Sequence, residues 1–142
     1  MIIVRILAVD LGDKRVGLAV SDVSGIVATP KPAFHFKNLS YSVDYLSNIS
    51  QELEVDHILV GMPLLLSGSH GEQANKVKEF IKELRKKISI KIEILDERFS
   101  TVEARRRIFE NTSKKSQTRM KNLDSPAAAV MLQSYLDFSN KI

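Results

Sequence analysis

The 142-residue chain contains no cysteine and no tryptophan, and only 6% of its residues are aromatic. Without cysteine, disulfides and thiolate-bound metal sites are excluded, and nothing points to an oxidising compartment. The scarcity of aromatic residues leaves little material for a platform that stacks the bases of single-stranded nucleic acid. No apolar run approaches the roughly 20 residues that span a bilayer, so we expect a cytoplasmic protein with no membrane partner.

The residues that are present have the composition of an ordinary globular domain, with 44% hydrophobic and 27% charged residues. Neither a linker nor a repeat divides the chain, so we expect one domain over residues 1–142. The net charge of +4 permits nucleic-acid binding but does not prove it. A more specific indication is a basic stretch whose seven cations are Arg105, Arg106, Arg107, Lys114, Lys115, Arg119 and Lys121.

Hydrophobic patterns predict elements in the order β-β-β-α-β-α-β-α-α. Short apolar or alternating runs predict strands over residues 2–9, 15–21, 26–36, 56–61 and 90–95. Amphipathic or capped stretches predict helices over residues 40–54, 72–87, 100–110 and 124–138, and the second of these should point its lysines outward. Pro30 and Pro32 place the third strand at a sheet edge. Three consecutive strands followed by alternating strands and helices indicate a mixed sheet with helices packed on its faces.

Acidic residues stand at the ends of predicted elements that such a sheet can bring together. Asp10 closes the first strand, the pair Asp96-Glu97 follows the last strand, and Asp124 caps the last helix. Ligands bind beyond the carboxyl ends of strands in open α/β sheets. A hard cation such as Mg²⁺ takes oxygen ligands and offsets the cost of shielding the acids from water. Two such ions about 4 Å apart can activate an attacking water and stabilise the leaving oxygen of a phosphodiester.

Each of these acids also has a purely structural interpretation. Asp10 fits a turn cap, Asp124 fits an ordinary helix N-cap, and Glu97 fits an ion pair with Arg98. The spacing of the acids alone therefore indicates no more than a candidate metal site.

Four motifs contain or lie between these acids in the order of the chain: LAVDLGDKRVG at 7–17, VGMPL at 60–64 with Gly68, DERFSTVEA at 96–104 and DSPAAA at 124–129. Together they resemble the YqgF family, also called RuvX, whose members are described as Holliday junction resolvases or pre-16S rRNA nucleases. Met62 stands where the family usually has leucine, and this swap conserves volume. The first motif alone is weak, but the four together are specific, occur in the family's order and span the chain almost end to end.

The resemblance implies an α/β, RNase H-like fold, with a mixed five-stranded sheet in the order 3-2-1-4-5 and helices on both faces. It also implies a nuclease site in which Mg²⁺ or Mn²⁺ is held by Asp10, the Asp96-Glu97 pair and Asp124. Within the pair we favour Glu97 as the metal ligand, because the isoleucines of the last predicted strand share a face with Asp96.

Basic residues near the motifs are candidates for substrate binding. Arg15 and Arg98 are predicted to orient the scissile phosphate or balance the carboxylates, with surface ion pairs as the alternative. Lys114 and Lys115, in a basic loop at 112–122, are predicted to bind the phosphate backbone, with a solvated surface as the alternative. None of the three histidines is expected to be catalytic.

The expected substrate is nucleic acid, either structured RNA such as the 5′ end of precursor 16S rRNA or branched DNA. Resolving a symmetric junction needs two active sites and hence a homodimer, whereas processing an RNA end needs only a monomer. Two other functions stay open. Asp10-Leu11-Gly12 with Gly17 resembles the phosphate-binding turn of the actin and sugar-kinase group, although those proteins need a second domain to enclose ATP. The fold can also serve a non-catalytic nucleic-acid-binding module.

Overall fold

The computed structural model describes residues 4–62, 71–96, 104, 106, 108 and 126–140. Its strands are β1 (Ile6–Leu11), β2 (Arg15–Ser21), β3 (Ala28–His35), β4 (His57–Met62) and β5 (Lys91–Asp96). Its helices are α1 (Leu39–Glu52), α2 (Glu72–Lys87) and α3 (Pro126–Asn140), and residues 104, 106 and 108 are also helical. The strands form one sheet in the spatial order β3-β2-β1-β4-β5, which confirms the predicted order.

The central strand of the sheet is β1, which runs antiparallel to β2 and parallel to β4. At the edges, β3 pairs antiparallel with β2 and β5 pairs parallel with β4. The parallel strands β1, β4 and β5 therefore all finish at one end of the sheet, which we call the Asp10 end. They all begin at the other end, which we call the His57 end.

The two faces of the sheet carry separate apolar layers, because side chains alternate along each strand. On one face, the odd-numbered residues of β1 pack with α1 and α2. On the other face, Ile6 and Ala8 pack with α3 and with the buried helical residues Ala104 and Ile108. Asp10 has the parity of Ile6 and Ala8, so it belongs to the face that α3 covers.

The helices follow from capping and periodicity. Helix α1 begins where the Asn38 side chain accepts a hydrogen bond from the Tyr41 amide at 2.7 Å. Helix α2 has the predicted bounds, and its buried face repeats at helical spacing through Ala74, Val77 and Leu84. None of the helices in the described part of the chain is long and apolar enough to cross a bilayer.

The predicted bounds of the first strand are wrong. The apolar run ends at Val9, but backbone pairing of β1 with β2 continues to the pair Leu11–Val16. Asp10 therefore lies inside the strand, opposite Gly17, and does not close it. The error arises because hydropathy reports burial, whereas hydrogen bonding to a neighbour decides where a strand ends.

Candidate active site at the Asp10 end of the sheet

Asp10 lies in an open cleft of about 480 Å³ at the end of the central strand. Its side chain is partly exposed, and its strand partner Gly17 has no side chain to fill the space beside it. Within the described residues, no hydrogen bond or ion pair engages the Asp10 carboxylate. The cleft is lined by Asp10, Gly12, Asp13, Lys14, Arg15 and Gly17.

The turn that joins β1 to β2 forms one wall of this cleft, and it is tight. The Gly12 amide donates a hydrogen bond to the Arg15 carbonyl at 2.8 Å. A Cβ atom at position 12 would lie 2.8 Å from that same oxygen, closer than van der Waals contact allows. Glycine is therefore required for this close backbone approach, which sets the position of Arg15 relative to Asp10.

Helix α2 holds the turn from outside the cleft. Lys76 Nζ donates hydrogen bonds to the carbonyls of Gly12 at 2.8 Å and Asp13 at 3.3 Å. Gln73 Nε2 donates to the carbonyl of Leu11. Three consecutive carbonyls that follow Asp10 are therefore bound by two side chains from the first turns of α2. This arrangement restrains the backbone next to the carboxylate without using the carboxylate itself.

The inward position of Lys76 contradicts the expectation that the lysines of α2 all point outward. Its ammonium lies 4.0 Å from the centre of the Phe36 ring and is only partly exposed. Helical periodicity misses this position because the carbonyl partners of Lys76 lie more than 60 residues away in the chain and its aromatic partner Phe36 lies 40 residues away. No local signal in the sequence distinguishes Lys76 from its exposed neighbour Lys78.

Asp96 lies at the Asp10 end of the sheet but on the opposite face. It is the last residue of β5 and is paired with Met62, which belongs to the apolar layer shared with α1 and α2. Strand β4 also separates it from β1. The structure therefore brings Asp96 and Asp10 to one end of the sheet without placing them on one surface.

Several predicted site residues lie outside the described residues, and their roles stay predictions: Glu97, Arg98, Lys114, Lys115 and Asp124. In the part of the chain that is described, no three acidic, histidine or cysteine side chains are grouped closely enough to hold a metal. The described members of the predicted site are Asp10 and Asp96, with an exposed Arg15 beside Asp10.

A second polar cluster, which sequence analysis did not predict, lies at the His57 end on the α3 face. Buried His57 has its Nε2 atom 3.1 Å from Glu93 Oε2, and the Tyr135 hydroxyl donates to the same oxygen at 2.7 Å. Burial lowers the pKa of His57 and outweighs Glu93, which raises it. Burial, together with the hydrogen bond to Glu93, raises the pKa of Tyr135 to about 12. Because His57 is paired with Ile6 at the start of β1, this cluster is remote from the cleft.

Comparisons with known proteins agree with the motifs. The family model RuvX, described as Holliday junction resolvase, matches residues 4–138. A protein of Halothermothrix orenii named "Putative pre-16S rRNA nuclease" is 36% identical over 139 residues, covering 97% of this chain and 98% of the relative. A protein of Fusobacterium nucleatum with the same name is 39% identical over 134 residues, covering 94% of this chain and 96% of the relative.

Solved structures share the fold at low sequence identity. The RuvC protein of Thermus thermophilus, in complex with a Holliday junction substrate, has a TM-score of 0.62 at 10% identity, covering 97% of this chain and 96% of that one. The fowlpox virus Holliday junction resolvase has a TM-score of 0.59 at 16% identity, covering 94% and 99%. These likenesses concern the fold alone, and they confirm the predicted RNase H-like architecture.

Proposed function

This chain belongs to the RuvX family, and from that premise we propose that it is a metal-dependent nuclease that hydrolyses phosphodiester bonds. The observation that carries the proposal is the placement of Asp10. A carboxylate on the central strand stands partly exposed in a cleft, beside Arg15, with no described protein donor bound to it. Such a carboxylate is suited to binding a cation from solution.

The proposed ligands of Mg²⁺ or Mn²⁺ are Asp10, Glu97 and Asp124. Helix α3 covers the face of the sheet to which Asp10 belongs. Its C-terminal residue Asn140 donates to the Gly25 carbonyl in the turn between β2 and β3, at the His57 end. The helix therefore begins at the Asp10 end, and Asp124 precedes its first residue by two positions in sequence. This direction of α3 supports Asp124 as a ligand.

Glu97 is preferred over Asp96 as the ligand from β5. Asp96 belongs to the face opposite Asp10, because its partner Met62 packs in the other apolar layer. If the strand alternation continues for one further residue, position 97 returns to the face of Asp10. We propose that Asp96 lies near the catalytic carboxylates but does not bind the metal directly.

The protein's own groups then position the substrate. A bound divalent ion would supply positive charge, which offsets the negative charge of the phosphate oxygens and lowers the pKa of an attacking water. Arg15, with Arg98, orients the scissile phosphate through charge-assisted hydrogen bonds. Gln73 and Lys76 keep the turn in one conformation, which reduces the cost of aligning the reacting groups. Lys114 and Lys115 bind the phosphate backbone away from the cleavage point.

The proposed substrates are the 5′ end of precursor 16S rRNA, branched DNA such as a four-way junction, or both. The first is suggested by the relatives' name and the second by the family description. The protein acts as a monomer on an RNA end, or as a homodimer on a symmetric junction. We further propose that residues 1–142 form one domain, and that its site of action is the cytoplasm, where ribosomal RNA is processed.

The deciding experiment incubates the purified protein with each substrate in Mg²⁺, in Mn²⁺ and in EDTA, beside an Asp10→Asn variant. We expect cleavage of at least one substrate that requires metal and is lost in the variant. Cleavage that persists in EDTA would reject metal dependence. ATP binding without any cleavage or nucleic-acid binding would favour the nucleotide-binding alternative, and nucleic-acid binding without cleavage would favour the non-catalytic module.

A further inference from the structure

Basic side chains without a role in the proposed chemistry continue from the cleft onto the neighbouring edge of the sheet. The backbone of Arg15 is paired with that of His35, the last residue of β3. The next amide, that of Phe36, donates to the carbonyl of Lys14 at 2.8 Å. The end of β3 is therefore tied to the turn that lines the cleft. We call Lys14, His35 and Lys37 the basic strip.

The lysines of this strip are not neutralised by the described protein. Lys14, His35 and Lys37 are exposed, and within the described residues no carboxylate lies within ion-pair distance of either lysine. By contrast, Lys86 on the last turn of α2 lies 3.0 Å from Glu83. Unpaired lysines gain more from binding an anion than a lysine that already has an acidic partner.

The ammonium of Lys37 is held by an aromatic ring. Its Nζ atom lies 4.6 Å from the centre of the Tyr41 ring. Tyr41 in turn lies edge-on to Phe34, which stacks on Tyr45 at 3.9 Å between ring centres. A cation–π contact at an exposed site is weak, so it orients the ammonium without preventing a bond to phosphate. Lys37 is thus oriented at the junction of β3 and α1, beside the aromatic residues that pack on the α1 face of the sheet.

Neighbouring charges define the limits of the strip. The ammonium of Lys76 is already occupied by two carbonyls and the Phe36 ring, so it does not belong to the strip. Asp13 adds one negative charge in the turn, and Asp10 adds another inside the cleft. Lys14, Lys37 and the adjacent Arg15 outnumber these two acids, so among the described residues this surface is positive overall even without a metal ion.

We propose that the basic strip binds the phosphodiester backbone of the substrate on the β3 side of the cleavage point. Adjacent strands lie about 4.8 Å apart, so β3 is roughly 10 Å from β1. At about 3.4 Å per nucleotide along a duplex, this distance corresponds to about three nucleotides. The β3 end of the strip, formed by His35 and Lys37, therefore contacts phosphates about three nucleotides from the cut. The stated distance from the cut rests on the proposed nuclease function, whereas the binding of phosphates by the strip does not depend on it.

The first test measures binding as a function of salt concentration in EDTA, so that no cleavage occurs. The probes are a labelled four-way DNA junction and a labelled RNA hairpin with a single-stranded extension, which separate the two sources of phosphodiester. The double variant Lys14→Ala/Lys37→Ala should bind more weakly and reduce the slope of log K against log salt by about one to two. The matched control Lys86→Ala should leave both quantities unchanged. Circular dichroism verifies that both variants fold.

An unchanged slope in the double variant would overturn the proposal, and so would an equal loss in Lys86→Ala. A wild-type protein that binds neither probe would overturn it too. If Asp10→Asn cuts as fast as the wild type but the double variant still binds weakly, the nuclease site is wrong and the strip is right. If Asp10→Asn abolishes cleavage while the double variant binds normally, the strip alone is wrong.

The second test uses the absence of cysteine from the chain, which makes any introduced thiol unique. A photo-reactive group on Lys37→Cys should cross-link to the nucleic acid about three nucleotides from the cleavage position. The same group on Lys86→Cys should give no cross-link. Cross-links from both positions, or from neither, would reject the strip as a binding surface.

Discussion

At the His57 end of the sheet, the Glu93 carboxylate accepts a hydrogen bond from the Tyr135 hydroxyl at 2.7 Å and lies 3.1 Å from His57 Nε2. At the Asp10 end, the carboxylate of Asp10 faces an open cleft with no donor from the described residues. Both acids project from the sheet on the face that α3 covers. The first is satisfied within the protein, and the second retains its capacity to bind a ligand.

The difference extends to the groups around each acid. At the Asp10 end, Gln73 and Lys76 donate to backbone carbonyls, although such side chains are also able to bind a carboxylate. At the His57 end, the Tyr135 hydroxyl donates directly to the Glu93 carboxylate, and His57 lies beside it. The comparison shows that Asp10, unlike Glu93, combines a restrained neighbouring backbone with unused hydrogen-bonding capacity, which is the combination that a binding site requires.

Exchanging the two carboxylates for amides tests this comparison most severely. Asp10→Asn nearly preserves shape but removes the charge that would bind the cation, so cleavage should fall more than about 100-fold. Groups that only support metal ligands contribute about 10–100-fold. The matched variant Glu93→Gln should cleave at nearly the wild-type rate. Both variants are tested by measuring the cleavage rate as a function of Mg²⁺ concentration, with thermal unfolding as the control for folding. A folded Asp10→Asn protein that still cleaves would contradict the proposed site.

The turns at the two ends each depend on a glycine, for different reasons. Gly12→Ala places a Cβ against the Arg15 carbonyl, so unfolding free energy should fall by about 1–3 kcal/mol and kcat by about 100-fold. Gly25 has open space around it but a φ of 69°, so Gly25→Ala should cost about 1 kcal/mol and leave kcat unchanged. Urea unfolding and single-turnover cleavage distinguish the two. Equal effects on kcat would show that the turn beside Asp10 has no special role.

Removing the contact between α2 and the turn should affect catalysis without affecting substrate binding. Lys76→Met loses both bonds to the turn carbonyls, so kcat should fall about 10-fold while KM stays constant. Lys76→Arg should restore part of the rate, and Lys78→Met on the exposed face serves as the matched control. A rise in KM with unchanged kcat would instead assign Lys76 to substrate binding.

The His57 end should respond to pH through protein stability. The pKa of His57 in the folded protein is below its ordinary value of 6.5, so the unfolded chain binds the proton more readily. The part of the unfolding free energy that depends on a neutral His57 is therefore fully present above pH 6.5. It is lost as the pH falls through the pKa that His57 has in the folded protein. Unfolding free energies at pH 7.5 and pH 5 should differ less in His57→Gln than in the wild type. An identical difference in both proteins would exclude His57 as the cause.

The smallest effect is expected from Tyr135→Phe, which deletes one hydrogen bond to Glu93. Since Glu93 is partly exposed, water can replace the hydroxyl, and the loss should be about 1 kcal/mol or less. Urea unfolding measures this loss, and the cleavage rate should not change. A large fall in cleavage would mean that the two ends of the sheet are coupled.

Local patterns predicted most elements of the fold. The bounds of α2 follow directly from its apolar spacing, and β4 and β5 are displaced by one residue from their predicted positions. The motifs around Asp10 and Asp96, through their resemblance to a family, supplied the sheet order that these patterns cannot provide. Strand pairing joins residues far apart in sequence, so periodicity alone does not determine it.

The sequence by itself determined where acidic residues follow apolar runs, because residue type and the end of an apolar run are local properties. It placed Asp10 beside a tight turn, and its period-two pattern correctly put Asp96 on the face of Ile92. Only the tertiary structure decided what surrounds these residues. The bonds from Lys76 to Gly12, the pairing of Arg15 with His35 and the cluster at Glu93 each join distant segments. Such contacts depend on how helices and strands pack against one another, and packing is a property of the whole chain.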